Sequence, residues 1–110
     1  MINLMGIKII EGHMLKAFLD SEKGEFIAVF STSWCAFCRM LLKEIERAPP
    51  PFKVIDVDIT DESDPTWEDY KIRIVPTVIA FRNGEEVARK EARPDGIALR
   101  EVKELYEKIH

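Results

Sequence analysis

Three observations predict a three-layer α/β domain built on a mixed sheet. Two β-rich apolar runs, Phe26-Ile27-Ala28-Val29-Phe30 and Thr77-Val78-Ile79-Ala80-Phe81, show no polar alternation. That is the pattern of strands covered on both faces. Segments with helical spacing separate the strand candidates, as in βαβ units. Asn83-Gly84 follows the second run and marks a tight hairpin, since both residues tolerate positive φ.

The elements follow in order. Ile7-Lys8-Ile9-Ile10 reads as a short strand. Met14, Leu15, Phe18 and Leu19 then share a helix face, and Gly24 supplies the turn that ends the helix. Phe26 to Phe30 is the central strand. A helix begins around Cys35, with Cys38, Leu41, Leu42 and Ile45 on its apolar face. Ala48 extends it until Pro49-Pro50-Pro51 stops it, because proline lacks the N–H and clashes with the preceding turn. Ile55, Val57 and Ile59 alternate with Asp56 and Asp58, the period of a strand. This strand–helix–strand unit calls for a right-handed crossover.

Trp67 to Lys71 reads as a short helix, and Thr77 to Phe81 as the next strand. Glu86 to Glu91 returns antiparallel after the hairpin, on an otherwise parallel sheet. Pro94-Asp95-Gly96 opens the last helix, whose face is Leu99, Val102, Leu105, Tyr106 and Ile109. The order is β-α-β-α-β-α-β-β-α, without an internal repeat or linker.

The 110 residues suit one domain, residues 1–110. Apolar residues at 46% and charged residues at 33% describe a chain that folds. The net charge of -4 argues against nucleic acid or an anionic membrane as partner. No apolar stretch has the length of a membrane span. Met1 to Gly6 lacks the basic and apolar regions of a leader. A soluble, cytoplasmic monomer is the expectation. Glutamine is absent and charged residues are abundant, a leaning of thermophilic proteins.

The only two cysteines lie in Ser33-Trp34-Cys35-Ala36-Phe37-Cys38-Arg39, where the central strand turns into a helix. That spacing and context point to redox chemistry. Residues three apart on a helix face each other, so the pair can close a disulfide. Cys35 sits at the helix start, where free N–H groups and the dipole stabilise a thiolate and lower its pKa from ~8.5. Cys35 is therefore the candidate nucleophile. Cys38 is aligned with the core and suited to resolving a mixed disulfide.

A metal pair is the competing reading. Zinc usually takes four ligands, and beyond the cysteines only His13 and His110 offer neutral nitrogen. His13 is more simply a helix residue, and His110 a terminal residue expected to be disordered. Trp34 and Phe37 are read as an exposed apolar rim, and Arg39 as a thiolate stabiliser or a plain surface charge. Pro76 reads, on sequence alone, as an ordinary strand start. Asp56 to Asp69 holds seven acids and reads as a solvated face.

Taken together, the chain resembles the thioredoxin family. The matching pieces are Phe30…Trp34-Cys35-x-x-Cys38, Ile72-x-Ile74-Val75-Pro76-Thr77 and Phe81-x-Asn83-Gly84. The resemblance implies the thioredoxin fold, a central five-stranded mixed sheet flanked by four helices. It implies a cis Val75–Pro76 bond beside the cysteines and a Val75 backbone that pairs with an extended substrate. Trp34, Phe37, Val75, Pro76 and Thr77 are the substrate-binding candidates on this basis. The implied activity is thiol–disulfide exchange on protein disulfides, recharged by a separate reductase. No bound cofactor is needed, because electrons move through the dithiol.

Three departures qualify the match. Ala36-Phe37 stands where thioredoxins carry Gly-Pro, which bears on redox potential. Val29 stands where they carry a buried aspartate, so proton transfer needs water, another group or a slower route. Ala92-Arg93-Pro94 takes the place of a small glycine-containing surface. The aromatic before Cys38 is also a glutaredoxin trait, but Trp34 and the length of the first βα unit favour thioredoxin. The rival functions are an adaptor with incidental cysteines and a metal site shared between chains.

Overall fold

The computed structural model describes residues 7–110, so the reading of the leader region lies outside the described residues. Ten elements follow one another there. They are β1 (Lys8–Glu11), a single 3-10 turn (Gly12–Met14), α1 (Leu15–Ser21), β2 (Glu25–Ser31), α2 (Ala36–Arg47), β3 (Val54–Asp58), α3 (Thr66–Asp69), β4 (Thr77–Arg82), β5 (Glu85–Glu91) and α4 (Leu99–Ile109). The strands form one sheet in the order β1-β3-β2-β4-β5. This is the expected five-stranded mixed sheet with four helices. The unalternating run takes the middle position, and Phe26 to Phe30 are all fully buried.

The direction of β4 differs from expectation. β1, β3 and β2 are mutually parallel, but β4 pairs antiparallel with β2, and β5 antiparallel with β4. The connection, residues 59–76, contains only the short helix α3 and does not recross the sheet. The chain therefore enters β4 from the end at which it left β3.

The sheet separates two cores. On one face Phe26, Ala28 and Phe30 of β2, Ile55 and Val57 of β3, and Ile79 and Phe81 of β4 meet Leu15 and Leu19 of α1 and Trp67 of α3. On the other face Ile27, Val29, Val78 and Ala80 meet Leu41 and Ile45 of α2 and Val102, Leu105 and Ile109 of α4. Period-two alternation along β2 thus feeds both layers.

Several boundaries move. Met14 ends the 3-10 turn and is exposed instead of sharing the face of Leu15. α1 ends at Glu22 in extended conformation, and Gly24 (φ +92) instead pairs with the hairpin turn. Its N–H donates to Asn83 Oδ1 at 3.0 Å. The Asn83-Gly84 turn has the predicted positive φ angles of 51° and 85°. Pro94 to Gly96 forms a turn closed by an Arg93–Gly96 bridge, and α4 opens only at Leu99. There the Glu101 carboxylate reaches back to accept the Ala98 N–H at 2.8 Å, which satisfies a free donor of the first turn.

Candidate active site

β2 delivers the chain to the cysteine pair beyond the C-terminal end of the central strand, and short hydrogen bonds hold the turn that follows. The Ser33 N–H donates to Thr60 Oγ1 at 2.8 Å, and the Thr60 hydroxyl donates to Asp58 Oδ1 at 2.5 Å, which ties the turn to the end of β3. Arg39 Nη1 donates to the Ser33 carbonyl at 2.7 Å. Arg39, read as a thiolate stabiliser or a plain surface charge, is thus engaged in holding the loop.

Cys35 is the N-cap of α2, with extended angles (φ -103, ψ 109) that aim its side chain back over the first turn. Its Sγ accepts the Cys38 N–H at 3.1 Å. An N-cap acceptor satisfies one of the free donors at a helix start, and here the acceptor is sulfur. Cys35 and Cys38 are joined as a disulfide with Cα atoms 5.3 Å apart, within the usual range. The two sulfurs differ in access. Cys35 keeps 9% of its surface open and Cys38 none.

The Val75–Pro76 peptide bond is cis, as the resemblance implied and against the reading of Pro76 alone. The Val75 carbonyl oxygen lies 3.6 Å from Cys35 Sγ. Pro76 is buried. Thr77 is fully buried as well, and its hydroxyl donates to the Ile74 carbonyl at 2.6 Å, which shapes the loop.

Trp34 and Phe37 do form an exposed rim, at 57% and 41%. Ile74 (41%) and Met40 (62%) extend it, two members the sequence reading did not single out. Their only signal was position: Ile74 precedes the Val75-Pro76 step, and Met40 lies off the buried face of α2. Grouped apolar exposure of this kind marks interaction sites.

Phe37 rests against Gly96. A Cβ at Gly96 would lie 2.9 Å from Phe37 Cδ1, and φ is +90 there, so two constraints favour glycine. The expectation that Ala92-Arg93-Pro94 replaces a glycine surface is thereby corrected. Gly96 supplies the close approach, while Arg93 turns to Glu101, with Nη1 and Nη2 donating at 2.5 and 3.0 Å. The Arg93 guanidinium, then the Ala98 N–H, hold the Glu101 carboxyl down at about 2.

A further group went unread. Asp56 was assigned to a solvated face, yet it is only 9% exposed. It pairs in register with Val29, so a buried carboxyl lies one strand away from that apolar position. The Ser31 hydroxyl donates to Asp56 Oδ1 at 2.5 Å. Burial is the main influence and pushes the carboxyl up to about 6, with Asp58 and Glu46 adding to the rise and the Ser31 hydrogen bond opposing it. Asp64 is buried too, accepting the His13 N–H at 3.0 Å and the Thr66 N–H at 2.8 Å.

His13 thus belongs to the turn before α1. His110, expected to be disordered, stacks on Tyr106 with ring centroids 5.2 Å apart, and its Nδ1 lies 3.0 Å from Glu25 Oε1. Among the described residues no group of three or more His, Cys, Asp and Glu could hold a metal ion. No helix among them is long and apolar enough to cross a membrane.

Comparison with known proteins agrees with this geometry. The family model described as Thioredoxin matches residues 7–104. A thioredoxin of Chlamydia pneumoniae is 34% identical over 86 residues, 76% of this chain and 81% of that protein. One from Echinococcus granulosus is 31% identical over 83 residues, 74% of this chain and 77% of its own. Among solved structures, Chlamydomonas reinhardtii thioredoxin f2 superposes with a TM-score of 0.77 at 16% identity, covering 96% of this chain and 97% of its own. A thioredoxin mutant from Halobacterium salinarum gives 0.72 at 24% identity, covering 98% and 94%. These two likenesses bear on the fold.

Proposed function

The chain belongs to the thioredoxin family of protein-disulfide oxidoreductases, and from that premise we propose that it reduces protein disulfides with Cys35 as attacking thiolate and Cys38 as resolving thiol. The observation that carries this division is the cap. Cys35 Sγ accepts the Cys38 N–H at 3.1 Å at the start of α2, while Cys38 itself is fully buried. A negative charge at a helix N-terminus is stabilised by about 0.3–1 kcal/mol, and by up to ~2 where partly buried. That favours the Cys35 thiolate over its protonated form.

The reaction balances in two steps. The Cys35 thiolate attacks one sulfur of the substrate disulfide, forms a mixed disulfide and releases the other sulfur as thiolate, which takes up a proton. The Cys38 thiol then loses its proton and attacks Cys35 Sγ, closing the Cys35–Cys38 disulfide and freeing the second substrate thiol. Two electrons pass to the substrate. A separate dithiol reductase reverses both steps on the protein.

Substrate docks as an extended segment beside the Val75 backbone, with Pro76 behind it and Trp34 and Phe37 at the rim. Backbone pairing supplies affinity largely independent of sequence. The protein acts as a single-domain cytoplasmic monomer. Cys35→Ser should abolish reduction of a protein disulfide. Cys38→Ser should accumulate a covalent mixed disulfide on a non-reducing gel. Full activity in Cys35→Ser would refute the mechanism.

A further inference from the structure

A groove of about 430 Å³ leads away from the rim, between the outer face of α2 and the turn before α4. Phe37 and Met40 stand at its apolar end, next to the cysteine pair. Lys43 and Arg47 follow along α2, and Arg100 faces them from α4. Of the acids that also line it, Asp95 and Glu101 are paired with Arg93, and Glu44 is held by a backbone N–H and keeps its charge, so cations still outnumber acids. Glu44 accepts the Leu99 N–H at 2.9 Å, Glu101 accepts from Arg93 and from the Ala98 N–H, and Asp95 lies 3.6 Å from Arg93 Nε. Lys43, Arg47 and Arg100 are exposed, and none of them makes an ion pair or side-chain hydrogen bond among the described residues. A chain of net charge -4 thus gathers three unengaged cations in one groove beside its redox pair.

We propose that this groove docks an acidic segment of the disulfide-bearing partner protein, an apolar side chain meeting Phe37 and Met40 and carboxylates meeting Lys43, Arg47 and Arg100. The proposal rests on Cys35 being the attacking thiol, since that fixes where the partner's cysteine sits. Charge complementarity of this kind governs association rate and partner choice more than bulk affinity. The spacing is set by the helix. Lys43 and Arg47 lie about 12 and 18 Å along α2 from Cys35 at 1.5 Å per residue. An extended partner segment covers that in about four to six residues at 3.3 Å each. The partner's acids therefore lie about four to six residues from its reactive cysteine.

The test uses three disulfide peptides that differ only at those positions, carrying Glu, Gln or Lys. Their reduction by the reduced full-length protein is followed at low and high salt. Each rate is divided by the same protein's rate on a small uncharged disulfide. The Glu peptide should react about tenfold faster than the Lys peptide at low salt, and the difference should collapse within a short Debye length. The charge-reversed triple variant Lys43→Glu/Arg47→Glu/Arg100→Glu should invert the order, and the single variant Arg47→Gln should narrow it. Equal relative rates for the three peptides, or an order unchanged in both variants, would overturn the proposal. No reduction of the small disulfide by the unmodified protein would instead refute the mechanism on which it rests.

Discussion

On the α1 side of the sheet, Phe26 stacks on Phe81 with ring centroids 5.4 Å apart and meets Phe18 edge-on at 5.5 Å. On the α2 side the same strands bury a carboxyl, Asp56, against the Ser31 hydroxyl. The first face is filled with hydrocarbon and rings, close-packed in the manner that yields most of a domain's stability. The second carries the helix that begins at the cysteine pair, and it contains polar groups that oppose burial. The faces therefore differ in kind: rings pack on the side away from the redox pair, and aliphatic side chains with one buried carboxyl pack on the side of α2.

The largest expected effect tests the aromatic face. Phe26→Ala removes a fully buried ring and should cost about 3–5 kcal/mol. Urea unfolding reads the loss directly. The folded fraction should still reduce a small disulfide at the parental rate, because Phe26 faces away from α2. A fall in that rate greater than the fall in folded fraction would break the comparison.

The next effect has the opposite sign. Asp56 rises from an ordinary 3.8 to about 6 on folding, so the fold favours its protonated form. Its stabilising contribution is whole below about pH 3.8 and is lost as pH rises through about 6. Above that range the buried charge opposes folding, by up to ~3 kcal/mol. Asp56→Asn should therefore raise the urea midpoint at pH 8, and the gain should narrow below pH 5. A variant less stable than the parent at pH 8 would show that the carboxylate supports this face instead of burdening it.

The smallest effect concerns the seam between α2 and the turn before α4. Gly96→Ala places a Cβ 2.9 Å from Phe37 Cδ1 at a φ of +90. The cost should be about 1–2 kcal/mol, measurable as a lowered melting temperature. No change would mean that Phe37 gives way freely, and that the rim is softer than the contact implies.

Much of this architecture was legible because its causes are local. The unbroken run Phe26 to Phe30 required cover on both faces, and β2 is central. Asn83-Gly84 needed only its own backbone freedom to announce the hairpin. The cysteine positions followed from a strand meeting a helix. What stayed hidden depends on distant partners. The alternation Ile55-Asp56-Val57-Asp58 reads as a wet face until α2 covers it and Ser31, on the neighbouring strand, offers a hydroxyl. The direction of β4 depends on which end of the sheet the connection 59–76 runs along, a tertiary choice. Thr77 reads together with Val75 and Pro76 as a substrate-contact candidate, yet it opens β4, whose first five residues are all buried. Gly96 gained its meaning only from Phe37, far away in sequence.

The central claim is the inequality of two sulfurs in one helical turn. Limiting iodoacetamide at pH 7, added to the fully reduced protein and read by peptide mass mapping, tests it most directly. Cys35 should be alkylated first and nearly alone, because it alone of the two keeps some surface open, 9% against none, and is favoured as thiolate by the helix start, while Cys38 stays closed within the core. Equal labelling of both, or preferential labelling of Cys38, would contradict the assignment.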